Sequence, residues 1–141
     1  MNQRTSKMPP AQSSSDSSSQ FFWRYELPGG WSVLAGRTDE DNDVLSTELA
    51  QPRDWWFHAA DVPGSHVILQ ARDEQEPSRE ILEAAAAIAA YHSKGRGAPF
   101  VSVTFTHARN VTKPRGAKPG LVQVSRSSTM KVKPAVPAIN R

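Results

Sequence analysis

The sequence contains no cysteine, so neither a disulfide framework nor a thiolate-held metal is available to it. No apolar run approaches the length needed to cross a bilayer, and the N-terminus lacks the apolar core of a signal peptide. A soluble cytoplasmic protein without a membrane partner is expected. Acid is missing altogether from the last 58 residues. From Ala84 to Arg141 there are ten Lys or Arg and no Asp or Glu, whereas the chain up to Glu83 carries fourteen acidic and seven basic residues. The net charge of +3 hides this asymmetry. A segment that basic repels itself unless its charges are spread or neutralised, and phosphate backbones are the commonest polyanionic partners of such surfaces. A solvated basic face kept for solubility is the competing reading, and charge alone leaves both open.

What is present fits one domain of 141 residues. Residues 1–20 are Ser-rich and almost free of large apolar side chains, so they are expected to form a disordered tail. The folded part is expected over 21–133, with a loose end over 134–141. Phe21–Leu27 and Trp31–Leu34 flank Pro28-Gly29-Gly30 and predict a hairpin. Asn42 or Asp43 is expected to cap a short helix running to about Ala50. The strongest helical signal lies at about 78–94. Ser78 is a plausible cap, Ile81, Ala85, Ile88, Ala89 and His92 recur at helical spacing, and six alanines between Ala84 and Ala90 leave room for close packing. Strands are expected near Trp55–His58, His66–Gln70, Val101–Thr106, Arg109–Thr112, Leu121–Val124 and Met130–Val132. The pattern predicts an α+β fold with a mainly antiparallel, mixed sheet and two helices.

Chemistry-bearing side chains concentrate in DWWFHAADVPGSHVIL, Asp54–Leu69, where Ala59–Gly64 reads as a loop between two buried strands. His58, Asp61 and His66 are types that a divalent metal accepts, but their spacing fits no metal site and a fourth ligand is lacking. Ser65 lies in Gly-Ser-His, outside the nucleophile-elbow pattern, with no acid–base partner indicated. No cofactor and no catalytic activity are expected. Two readings of the block remain. Trp55 or Trp56 could stack on a base while His58, Ser65 and His66 contact phosphate or ribose. Alternatively the aromatics anchor the core and His58 braces the loop, for instance against Asp61. Alternation puts Trp55 and Phe57 on one face and Trp56 and His58 on the other, one of which must be core.

NVTKPRGAKPG, Asn110–Gly120, is the stronger ligand candidate. Lys113, Arg115 and Lys118 are spaced by prolines and small residues that stiffen the backbone and let a bulky partner approach. Lys94, Arg96 and Arg109 are candidates to join them in one electrostatic surface, a reading favoured by the absence of carboxylates nearby in sequence. Arg37, ahead of the acidic cluster Asp39, Glu40, Asp41 and Asp43, is expected to pair internally with Asp43 or Asp54 rather than to contact phosphate.

The Asp54–Leu69 block, with GRTDEDNDVL at Gly36–Leu45, AAAIAAYHSKGRG at Ala85–Gly97 and NVTKPRGAKPGLV at Asn110–Val122, resembles the NFACT-R domain in the same order. That domain is a predicted RNA-binding module of ribosome quality-control proteins, some of which are called fibronectin-binding protein A-like. The resemblance covers most of residues 30–132 and implies a stand-alone, non-catalytic module. Its expected partner is tRNA or ribosomal RNA, with the ribosome or tRNA modification as the setting and no DNA. An adaptor that docks an acidic protein is the alternative. A fibronectin-binding adhesin would require export, for which no signal is seen.

Overall fold

The computed structural model describes residues 22–137; the Ser-rich stretch 1–20, Phe21 and residues 138–141 lie outside them. Strands β1 (Phe22–Leu27) and β2 (Trp31–Gly36) form the expected hairpin. Gly29 and Gly30 take φ of 90° and 85° at its turn, a region that side chains with a Cβ rarely enter. A short helix α1 (Asp39–Asp43) continues into a wide π turn over Val44–Leu49. It begins before the expected cap, because Thr38 Oγ1 accepts the Asp41 N–H at 3.0 Å and closes the first turn there. Asn42 is instead buried, and its Oδ1 accepts the His66 N–H at 3.0 Å. A Cβ on Gly36 would collide with that same Oδ1, which explains a glycine before Arg37.

β3 (Trp55–Ala59) and β4 (Val67–Leu69) flank the expected loop. The longer helix α2 (Arg79–Tyr91) is capped by Ser78, whose Oγ accepts the Ile81 N–H at 3.2 Å. β5 (Val101–His107) follows, then a single 3-10 turn, β6 (Val111–Thr112), β7 (Gln123–Val124) and β8 (Ser128–Val132). Six strands form one sheet in the order β1-β2-β4-β3-β5-β8, with every neighbouring pair antiparallel; β6 and β7 form a separate ribbon. The α+β expectation with a mainly antiparallel sheet holds. In the expected loose end, the Ala135 N–H donates to Ala87 O at 3.1 Å and Val136 packs on the core.

Both faces of this sheet are buried, where the alternation of Trp55–His58 suggested one. On one face Phe57, Val33, Val67 and Leu69 pack against Ala85, Ile88 and Ala89 of α2, whose short side chains let helix and sheet come close. On the other, Trp56, Leu34 and Ile68 meet Leu45 of the π turn and Val111 of the ribbon. Fully burying a side chain such as Phe57 or Leu45 contributes about 1.5–3 kcal/mol. Two small cores thus lock the central strands from both sides.

Candidate nucleic-acid interface

The loop after β3 is clipped to the end of α2. The Ser65 N–H donates to His92 O and the Lys94 N–H to Pro63 O, both at 2.9 Å. Gly64 makes this approach possible, since a Cβ there would meet the Ser93 Cβ at 2.8 Å. The clip gathers Ser65, Lys94 and Arg96 into an open cleft of about 450 Å³, together with Trp23 and Arg37 from the β1–β2 hairpin. Two of the predicted cations and the predicted loop therefore meet, although nearly thirty residues separate them in sequence.

Trp23 is the aromatic of this cleft, and 42% of it is exposed. Its ring stacks on His92 with centroids 5.5 Å apart and 15° between planes, and the Arg37 guanidinium lies 4.8 Å from its centroid. Beneath, Tyr25 Oη and His92 Nε2 share a hydrogen bond of 2.6 Å. Burial, reinforced by the neighbouring Arg96 charge, pushes the His92 ring down to about 4, so it is neutral near pH 7. Arg96 is itself oriented: its guanidinium sits 4.1 Å over the Tyr91 ring and its Nε donates to Tyr91 O at 2.7 Å. Arg37, Lys94 and Arg96 are all exposed. A half-exposed ring with cations around it can stack a base and hold its phosphates. The sequence reading did not single out Trp23, and it paired Arg37 internally rather than placing it in this cleft. An exposed tryptophan in a strand facing the end of an Ala-rich helix is a signal only once the hairpin is folded.

Several predicted contacts lie elsewhere. Trp56 and His66 are each 3% exposed and belong to the second core, so neither offers a face to a ligand. Ser46 explains why polar groups tolerate that core. Its hydroxyl accepts the Trp56 Nε1–H at 2.9 Å and lies 2.7 Å from His66 Nδ1. Burial first, then the neighbouring His58, pushes His66 down to about 4, although the Asp43 charge and backbone hydrogen bonds with Gly120 and Asn42 oppose the shift. A neutral ring accepts from Ser46, and the network closes with each group satisfied. His58 is half-buried, stacks on Trp56 at 5.9 Å and meets His66 edge-on at 5.3 Å; burial lowers its pKa and a backbone bond with Gly64 raises it. It braces the loop through Gly64, where Asp61 was expected. Asp61 is exposed at φ 66°, a left-handed position that Asp tolerates in turns. Ser65 lines the cleft, but its hydroxyl donates to Gly36 O.

Lys113 also proves internal. Its ammonium donates to Asp43 Oδ1 at 3.0 Å, to Leu121 O at 2.9 Å and to Lys118 O, which uses all three of its protons. Asp43 Oδ1 also accepts the Gly120 N–H at 2.9 Å. The basic loop lacks carboxylates only in sequence, because folding brings Asp43 and Asp39 of α1 against it. Arg115 and Lys118 stay exposed on this loop, which Gly120 seats beside Asp39, a residue lining the cleft. Arg109 is exposed but lines different hollows, so the expected single surface is divided. Among the described residues no group of three His, Cys, Asp or Glu side chains gathers as a metal site requires. Among them, too, no helix is long and apolar enough to cross a membrane.

Comparison with known proteins follows the same outline. The chain is 40% identical over 110 residues to the Rqc2 homolog RqcH of Bacillus subtilis (strain 168), covering 78% of this chain and 19% of that protein. It is 40% identical over 102 residues to the Rqc2 homolog RqcH of Streptococcus suis (strain 05ZYH33), covering 72% and 18%. The chain thus spans about a fifth of the length of these relatives. Its fold is similar to the solved C-terminal part of the fibronectin/fibrinogen-binding protein of Streptococcus suis. The TM-score is 0.76 and the identity 38%, over 82% of this chain and 46% of that one. The family described as NFACT protein RNA binding domain matches residues 20–126, and this chain belongs to that family.

Proposed function

We propose that this domain binds RNA without catalysing a reaction, through the cleft at the end of α2. The observation that carries the reading is the meeting of Trp23 with three exposed cations, Arg37, Lys94 and Arg96, on a rigid frame. The family description supports RNA as the class of ligand. Arg115 and Lys118 extend the cationic surface past α1, and Ser65 contributes the shape of the cleft wall. The NFACT-R resemblance favours tRNA or ribosomal RNA as the target, in translation quality control or tRNA modification in the cytoplasm. Because the frame is clipped before the ligand arrives, little ordering entropy is lost on binding.

Binding of fluorescently labelled tRNA, measured by anisotropy across a salt series, tests this. Each phosphate neutralised contributes about −0.9 to the slope of log affinity against log salt. Replacing Lys94 and Arg96 together by alanine should lower affinity about tenfold and flatten the slope by about two. A folded double variant that binds with the wild-type affinity and slope rules out the cleft as the RNA surface.

A further inference from the structure

Arg109, separated from the cleft above, belongs to a second hollow at the opposite end of α2. This hollow, about 370 Å³, is walled by Trp55 and His107 and edged by Arg53, Arg109, Gln75 and Glu76. Its volume falls in the range that small-molecule sites occupy. The rings of Trp55 and His107, cross-strand partners in β3 and β5, stand 3.9 Å apart between centroids with a tilt of 35°. Trp55 is held in turn by Phe105, 6.0 Å away. His107 remains half-buried and forms part of the wall.

The two arginines rise from backbone that is fixed from beneath. Asp54 is fully buried, and its two carboxylate oxygens accept the Gln51 and Ala71 N–H groups, each at 2.8 Å. Its carbonyl accepts the Ala108 N–H at 2.8 Å, and Pro52 O accepts the Arg109 N–H at 3.3 Å. Arg53 and Arg109 are therefore brought to one rim by adjoining loops, and both are exposed. Their charges reach His107, lowering its pKa in addition to the effect of burial, while Glu76 acts the other way. Two cations, one carboxylate and a ring wall do not suit a bare anion. They match the parts of a nucleotide: phosphate for the arginines, a base face for His107, and an amino group for Glu76.

We infer that the Arg53–Trp55–His107–Arg109 hollow takes one unpaired nucleotide, its phosphate between the arginines and its base on the ring wall, with Glu76 favouring an amino-bearing base. The inference takes its setting from the RNA reading above. Thirteen residues of α2 separate this hollow from the first cleft, so one RNA held at both would span about 20 Å.

NMR titration of the whole chain with GMP, CMP and UMP, up to about 10 mM, reads the site directly, since a weak single-nucleotide site fills in that range. The His107 and Trp55 ring resonances should move, more with GMP and CMP than with UMP, and the His107 pKa should rise as phosphate offsets the arginine charges. Arg53→Ala with Arg109→Ala should abolish the shifts and lower RNA affinity about fivefold. Arg53→Lys should retain part of both. No movement at His107 with any of the three nucleotides overturns the inference, whatever RNA does at the first cleft. Equal response to inorganic phosphate and to all three nucleotides also overturns it, because the base would then contribute nothing. If the nucleotides move His107 while the chain binds no RNA, the hollow stands as a free-nucleotide site and the RNA reading alone fails.

Discussion

Lys113 Nζ lies 3.0 Å from Asp43 Oδ1, joining residues seventy positions apart. The pair ties the basic half of the chain to the acidic half. Lys113 also holds the carbonyls of Lys118 and Leu121, while Asp43 holds the Gly120 N–H, so the loop from Pro114 to Leu121 is shaped from inside by one ammonium. A lysine in this position sets where Arg115 and Lys118 stand.

Lys113→Met should consequently behave unlike a phosphate contact. Both partners are mostly shielded, at 25% and 23% side-chain exposure, and three hydrogen bonds to a cation are lost. A stability loss of about 1–2 kcal/mol is expected, allowing for screening at the rim. RNA affinity should fall through disorder of the loop, with the salt slope unchanged, whereas Lys118→Ala should flatten the slope by about one. Urea unfolding and the salt series measure the two effects separately. A flattened slope for Lys113→Met would return it to the ligand surface.

Much of the fold was legible because it rests on local rules. The Pro-Gly-Gly turn, the Ser78 cap and the 3.6-residue spacing of Ile81, Ala85 and Ile88 each act within a few residues. The helix at Asp39 was placed late because Thr38 outcompetes Asn42 as cap, and Asn42 is needed by a backbone N–H twenty-four residues away. The site was harder for the same reason. Trp56 and His66 look like ligand groups in sequence, and only Ser46, on another element, makes them ordinary core residues. Trp23 carries no local mark at all; its role depends on the clip between Pro63–Ser65 and His92–Lys94.

The histidines make stability depend on pH with a definite sign. His66 is held down to about 4 in the folded chain against an ordinary 6.5. The unfolded chain binds its proton first, so the stabilisation is complete above pH 6.5 and is lost as pH falls towards 4. At about 1.4 kcal/mol per pH unit across that window, acidification to pH 5 should cost about 2 kcal/mol from His66 alone. His92 is also held down to about 4 and acts in the same direction, by less because it is more exposed to water. Urea midpoints at pH 7.5 and pH 5 provide the measurement. An unchanged or higher midpoint at the acid end contradicts a buried, neutral His66.

Trp23 and Trp56 give the sharpest contrast between contact and core. Trp56 is 3% exposed, and its truncation to alanine opens a cavity and removes the N–H that Ser46 accepts, costing about 3–5 kcal/mol. Trp23 is 42% exposed and loses on truncation mainly its stacking with His92 and the Arg37 contact, worth about 1–2 kcal/mol together. A stacked base is worth about 1–3 kcal/mol, so Trp23→Ala should weaken RNA binding about five- to hundredfold in a chain that still unfolds cooperatively. The salt slope should stay at its wild-type value, because a ring face releases no counterions. Trp23→Phe should recover part of the affinity, since phenylalanine keeps a stacking face. If Trp23→Ala binds RNA as the wild type does, stacking at this ring is excluded and the cleft binds through its cations alone.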